Sequence, residues 1–324
     1  MGGPHHRESL VLRVSITDRC QLRCRYCLPE EGITLLPAEN ILRYEDIAVL
    51  VRHLQADFEL TKVRITGGEP LVRRDVDRLV RMLAELGIPD LALTTNGQLL
   101  EEFAPILKRA GLHRVNVSLD SLNPETFAAL SRGGALAHTV AGIRRAREVG
   151  LTPVKVNTVV VRGVNDGEAV ALVNFALADD IEVRFIELMP LGEAERLFAA
   201  SHVPAAEIQA QLAAVFRIEA IPDRPGETSR SYRITDDGGR QGIVGFVNPC
   251  TQPFCCDCRR LRLTSDGQLV GCLADGESVP IRSLLRQPGG PDTAALRAAV
   301  AAALGAKQRR RGLLRQDRMA TIGG

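Results

Sequence analysis

With 324 residues, 45% of them hydrophobic, and charges that nearly cancel at +2, the chain can bury a substantial core and lacks a polyanion-binding signature. No apolar run reaches the roughly 18 residues that cross a membrane, and the polar residues 1–8 lack a signal-peptide core. The expectation is a cytoplasmic protein with neither bulk nucleic acid nor a membrane as partner.

Residues 10–16 alternate as a strand and lead into Cys20, Cys24 and Cys27, spaced C-x3-C-x2-C. The eight cysteines fall into two groups, with none between Cys27 and Cys250. That pattern indicates metal ligands in a reducing compartment and not a disulfide framework. Three neighbouring thiolates suit zinc or an iron–sulfur cluster. A four-iron cube would keep one iron open, whereas a zinc loop would borrow a distant fourth ligand.

Apolar spacing predicts a helix over 44–58 and a strand over 62–66. Gly67-Gly68-Glu69-Pro70 follows, where glycines would let a ligand approach the backbone and Glu69 would offer oxygens to an ammonium. Next come a helix at 75–86, a strand at 90–94, a helix at 99–110 and a strand at 114–118. Helices at 125–130 and 138–149 precede a strand at 153–160, a helix at 168–178 and a strand at 182–187. Six strands separated by helices imply a parallel sheet, two units short of a closed barrel. Functional groups then gather at the strands' C-terminal ends.

A turn-rich linker at 222–226 introduces short strands at 231–235, 242–247, 260–264 and 268–272, then helices at 281–286 and 293–304. The fold expected is α/β: a partial (β/α)6 TIM-like barrel over 1–222 and a smaller α+β region over 223–324. The second cysteine group offers Cys250, Cys255, Cys256, Cys258 and Cys272. Its spacing fits a closed zinc site on Cys250, Cys255, Cys258 and Cys272 as well as a second iron–sulfur cluster. Lys62 with Arg64, and Arg260 with Arg262, sit two apart and so share a strand face. Arg13, Lys155 and Arg184 also occupy inferred strands. Charges inside a barrel are costly unless paired, so the set fits either an anionic ligand or solvated and salt-bridged strand faces.

The cysteine loop, with Tyr26 just before its last cysteine, and Gly67-Gly68-Glu69-Pro70 resemble the radical S-adenosylmethionine (SAM) superfamily. Segments 12–20, 62–71, 117–122, 154–158, 184–187 and 254–264, with the terminal Gly323-Gly324, resemble the GTP 3′,8-cyclase family of molybdenum-cofactor biosynthesis nearly end to end. The resemblance implies two [4Fe–4S] clusters. One would sit on Cys20, Cys24 and Cys27 with SAM, the other on Cys255, Cys258 and Cys272 with the guanine end of GTP. Cys250 and Cys256 depart from the family pattern. It further implies that Tyr26, Gly68, Ser118 and Met189 contact SAM. Arg13, Arg64, Thr95, Lys155, Arg260, Leu261 and Arg262 would contact GTP, and Gly323 and Gly324 would act in the radical step. The implied lyase reaction turns GTP into (8S)-3′,8-cyclo-7,8-dihydroguanosine 5′-triphosphate, with 5′-deoxyadenosine and methionine released. The implied partners are a flavodoxin-type electron donor and a downstream cyclic pyranopterin monophosphate synthase, and a homodimer is compatible. Competing readings are a peptide-modifying radical SAM enzyme with an auxiliary centre, and a non-enzymatic metal scaffold.

Overall fold

The computed structural model describes residues 8–223, 226–253, 258–273, 277–288 and 290–307. Six parallel strands lie side by side in chain order: β1 (Ser9–Ser15), β2 (Glu59–Thr66), β3 (Leu91–Thr95), β4 (Arg114–Ser118), β5 (Lys155–Val160) and β6 (Glu182–Glu187). Between them run α1 (Tyr44–Asp57), α2 (Val76–Ala84), α3 (Leu100–Arg109), α4 (Pro124–Ser131), α5 (Leu136–Glu148) and α6 (Ala169–Asp179). The expected alternation of strand and helix is present, with boundaries moved by a few residues. Then come α7 (Ala194–Ser201), α8 (Ala205–Ala213) and β7 (Arg217–Ala220), which the spacing of apolar residues does not reveal. Weak burial explains α7, which buries only Ala194, and β7, which buries none of its residues, whereas α8 buries Ala205, Ile208 and Leu212 in a segment too short and Ala-rich to stand out.

The last strands are β8 (Arg230–Thr235), β9 (Gln241–Val247), β10 (Arg260–Leu263), β11 (Gln268–Val270) and β12 (Val279–Pro280), with helices α9 (Arg282–Leu285) and α10 (Thr293–Ala306). They extend both edges of the same sheet, in the order β12-β11-β10-β1-β2-β3-β4-β5-β6-β9-β8-β7. β10 is parallel to β1 and β9 is parallel to β6, so all the strands from β10 across to β9 point one way. Among the described residues no helix is long and apolar enough to cross a membrane.

Strand alternation divides the sheet into two chemically opposite faces. Leu10, Leu12 and Val14 of β1 join Val63 and Ile65 of β2, Leu91 and Leu93 of β3, and Leu261 and Leu263 of β10 in one apolar core under the helices. Residues of the other parity (Arg13, Arg64, Asn116, Lys155, Arg184, Arg262) line the inner face. Local capping reinforces the helix layer. Asn123 accepts backbone hydrogen bonds from Glu125 and Thr126 at 2.9 and 3.0 Å, with Pro124 in the first turn of α4. Asn123→Ala is expected to lower unfolding free energy by about 1 kcal/mol in denaturant titration.

Candidate active site

The C-terminal strand ends build one half of the site. After β1 the chain turns through Cys20, Cys24 and Cys27, where the amides of Cys27 and Leu28 both donate to the Cys24 carbonyl, at 2.8 and 3.0 Å. The loop is fastened to the end of α4 by Arg23 N–H to the Ser131 carbonyl and Arg25 N–H to the Leu130 carbonyl. All three thiols are free and half-buried. Burial pushes Cys20 up to about 11 and Cys27 up to about 12, and raises Cys24 as well; neighbouring thiols and acids add to each rise. Thiolates become stable here once a metal centre supplies compensating positive charge. The donor set therefore fits a soft cluster.

Gly67 and Gly68 also serve the packing of the chain against itself. A Cβ on Gly67 would meet the Thr17 carbonyl at 2.8 Å, and one on Gly68 would collide with the Arg19 carbonyl oxygen. The amides of Gly68 and Glu69 donate to Thr17 and Arg19 carbonyls at 2.7 and 2.8 Å. The glycines thus admit the chain's own cysteine loop. Glu69, 1% exposed, accepts from Leu71 N–H at 3.0 Å, Thr95 Oγ1 at 2.7 Å and Asn96 N–H at 2.7 Å, so its carboxylate is a knot between loops. Burial lifts it to about 7 despite these donors. Tyr26 donates to Asp120 at 2.5 Å, and Asp120, raised by burial to about 6, also accepts from Val159 N–H. Ser118 ends β4 and Met189 lies two residues past β6, both half-buried at this same end.

The inner face below is crowded with cations. In the parallel registers Arg13 lies between Arg64 on β2 and Arg262 on β10, while Val11 lies between Lys62 and Arg260. Asp90 pairs with Lys62 at 3.1 Å and Arg114 at 2.8 Å, and Glu182 pairs with Lys155 at 2.5 Å and Arg184 at 3.8 Å. Burial, and then Arg114, Arg184 and Arg260, pull Arg64 down to about 9. Burial and Arg260 do the same to Arg262, and burial with Arg184 brings Lys155 to about 8. Arg13 is lowered by burial and by Arg262, Arg64 and Arg260. The buried Nε of Arg64 has no hydrogen-bond partner. Such a face fits an anionic ligand.

Two of the residues expected to contact GTP keep their side chains off the cationic face. Leu261 is fully buried in the helix-side core, so its side chain turns away from the cations. Thr95 has its hydroxyl on Glu69, whereas Thr94 shares the inner face with Asn116, its register partner. Arg114, Asp90 and Glu182 are members of the charged face that sequence reading passed over; period-two spacing from Asn116 and Arg184 would have found Arg114 and Glu182.

Of the second cysteine group, Cys258 and Cys272 occupy the opposite end. Cys258 precedes β10 and Cys272 follows β11, which is antiparallel to it. Lys307 Nζ donates to the Cys258 carbonyl at 3.2 Å. Burial raises the Cys258 thiol, but Arg260 and Lys307 outweigh it and hold it at about 7. Cys250 follows β9, with its amide on Glu187 at 3.0 Å, and so sits at the end where the first cysteine loop lies. The four-thiolate zinc set built on Cys250 is therefore not assembled. Cys255, Cys256, Gly323 and Gly324 lie outside the described residues, as do Arg309, Arg310 and Arg311.

Comparison with known proteins yields concordant matches. The sequence model of the Radical SAM superfamily matches residues 14–176, and that of Molybdenum Cofactor Synthesis C matches 181–313. A curated relative from Pelotomaculum thermopropionicum named GTP 3′,8-cyclase is 43% identical over 331 residues, covering 100% of both chains. One of the same name from Moorella thermoacetica is 46% identical, covering 89% of this chain and 88% of its own. Among solved structures, Streptococcus suis SuiB bound to S-adenosylmethionine shares the fold with a TM-score of 0.62 at 16% identity, covering 85% of this chain and 64% of that one.

Gly68→Ala is expected to cut iron uptake by Cys20, Cys24 and Cys27 several-fold on anaerobic reconstitution. Gly167→Ala, with nothing within 4 Å of the new Cβ, should load iron normally. For the cationic face, Lys155 is charged below about 8 and neutral above it. Calorimetric affinity for tripolyphosphate should thus fall several-fold as pH rises through about 8, and Lys155→Arg should flatten that fall because a guanidinium keeps its proton more strongly.

Proposed function

The chain belongs to the radical SAM superfamily, within the GTP 3′,8-cyclase family, and on that premise we propose how its residues divide the work. The enzyme makes (8S)-3′,8-cyclo-7,8-dihydroguanosine 5′-triphosphate from GTP, a step of molybdenum-cofactor biosynthesis. The observation that carries the division of labour is the placing of the two cysteine groups at opposite ends of one sheet, with the cationic face between them.

At the C-terminal strand ends, Cys20, Cys24 and Cys27 would hold a [4Fe–4S] cluster, with Tyr26, Gly68, Ser118 and Met189 around SAM. When bound, the reduced cluster and SAM supply the 5′-deoxyadenosyl radical that takes hydrogen from C3′ of GTP. At the other end, Cys255, Cys258 and Cys272 would hold a second [4Fe–4S] cluster against the guanine. The low Cys258 thiol supports this assignment, because a ready thiolate is the ligand form.

Arg13, Arg64, Lys155, Arg260 and Arg262 would receive the triphosphate, Thr95 would serve indirectly through Glu69, and Leu261 through its backbone. Anchoring the phosphates on a rigid sheet holds the ribose toward the radical source and lowers the entropic part of the barrier. Gly323 and Gly324 would enter the cavity to shape the radical step. We assign 1–222 to the SAM half and 223–324 to the substrate half. The reaction consumes two electrons, one in cleaving SAM and one, with a proton, in quenching the cyclised substrate radical, so a flavodoxin-type donor is part of the reading. Its triphosphate product passes to a cyclic pyranopterin monophosphate synthase. Free thiols suit a reducing compartment, so our reading puts the enzyme in the cytoplasm, where a homodimer is compatible.

The test is anaerobic turnover of cluster-loaded protein with GTP, SAM and a chemical reductant. Cys24→Ala should abolish 5′-deoxyadenosine release. Arg262→Ala should leave SAM binding within twofold while cyclised product falls at least a hundredfold. Equal GTP kinetics in Arg262→Ala and the unaltered protein would remove the inner face from the substrate site.

A further inference from the structure

Cys250, the first cysteine of the second group in the chain, lies at the other end of the sheet from Cys258 and Cys272, and its surroundings assemble a different donor set. A carboxylate oxygen of Glu187, a ring nitrogen of His202 and the thiol of Cys250 all lie within 4.8 Å of one another. They come from three places in the chain: the last residue of β6, the residue after α7 and the loop after β9. The Glu187 side chain is 1% exposed and that of His202 17%. Among the described residues His202 Nε2 is buried without a hydrogen-bond partner, and at 4.0 Å from Glu187 it is too far away to make one there. Buried polar atoms are nearly always satisfied, so this nitrogen asks for something between it and its neighbours.

We propose that Glu187, His202 and Cys250 form a binding site for a borderline-soft divalent cation, zinc in particular, separate from both cluster sites. Thiolate, imidazole and carboxylate are the three donor types that zinc takes from proteins, and a thiol with an imidazole disfavours calcium or magnesium. Zinc–ligand bonds of about 2.0–2.3 Å put tetrahedral neighbours roughly 3.3–3.8 Å apart, so side-chain adjustments of about 1 Å close the set. Glu187 is already held, accepting from the amides of Ala205, Cys250 and Thr251 at 3.0 Å each and from the Thr251 hydroxyl. Oε1 accepts from the Ala205 amide and the rotatable Thr251 hydroxyl, whereas Oε2, 4.0 Å from His202 Nε2, accepts from the Cys250 and Thr251 amides, so a cation on Oε1 displaces the hydroxyl and one on Oε2 shares that oxygen with the two amides. With three protein ligands and one open position, the cation pins the loop after β9 and the turn after α7 to the end of β6. Leu188, whose carbonyl lies 3.5 Å from the Cys250 thiol, and then Met189 follow directly. The cation therefore stiffens the wall that carries Met189.

The test uses full-length protein with both clusters loaded, so that their cysteines are occupied, and zinc chloride as the probe. Alkylation of Cys250 is followed by mass spectrometry with and without one equivalent of zinc, and retained zinc and iron are counted after gel filtration. Zinc should slow alkylation of Cys250 at least tenfold, with one zinc kept per chain. That zinc should be lost in Cys250→Ser and in His202→Asn while iron stays at the unaltered level. Unchanged alkylation of Cys250 in the presence of zinc overturns the proposal, as does zinc retention in either variant. The alkylation comparison needs only the unaltered protein, so it decides even where a variant folds poorly.

Discussion

Crowding of like charge on the inner face is the constraint on which the rest of this structure depends. Arg64, Arg13 and Arg262 stand in one register row on three adjacent strands. Strand alternation gives their side chains no other direction, because the opposite parity is committed to the apolar core through Leu12, Val63 and Leu261. Each guanidinium is desolvated and repelled by its neighbours, and Asp90 and Glu182 offset only part of that charge. A multiply charged anion resolves the row at a stroke, since it brings several negative charges to cations that are already fixed in place. The cost of assembling the charges is met by folding and not by binding.

The other half of the site relies on close backbone packing. Gly67 and Gly68 let the loop of Thr17 to Arg19 lie directly against the end of β2, and Glu69 ties Leu71, Thr95 and Asn96 to it. The first cysteine loop therefore rests on a floor of hydrogen bonds before any cluster is present, which is the support a metal site needs from its surroundings. At about 3.3 Å per residue, the seven residues of β1 span roughly 20 Å between the two ends of the sheet. That span is comparable to the length of an extended nucleoside triphosphate.

Much of this was legible in the chain alone. The six strands and their helices follow from hydrophobic period, and the cysteine loop, Gly67-Gly68 and the paired cations Lys62/Arg64 and Arg260/Arg262 follow from spacing, because ligand identity and strand parity are local properties. The packing of Gly67 and Gly68 against the backbone of Thr17 and Arg19, however, is a further role of those glycines that only the folded loop reveals. Thr95 was grouped with the cations, yet register places its neighbour Thr94 on their face.

Residue types, their order and their two-residue period thus determined the parallel sheet, the thiol donors and the cationic face, since each depends only on neighbours in the chain. What tertiary structure alone decided was which end each group occupies. Strands β10 and β11 join the edge beside β1 while β9 joins the edge beside β6, so Cys258 and Cys272 fall at one end and Cys250 at the other. Cys250 consequently meets Glu187 and His202 instead of the cysteines a few residues along. Pairings of that kind arise from strand direction and long-range register, which no local spacing encodes.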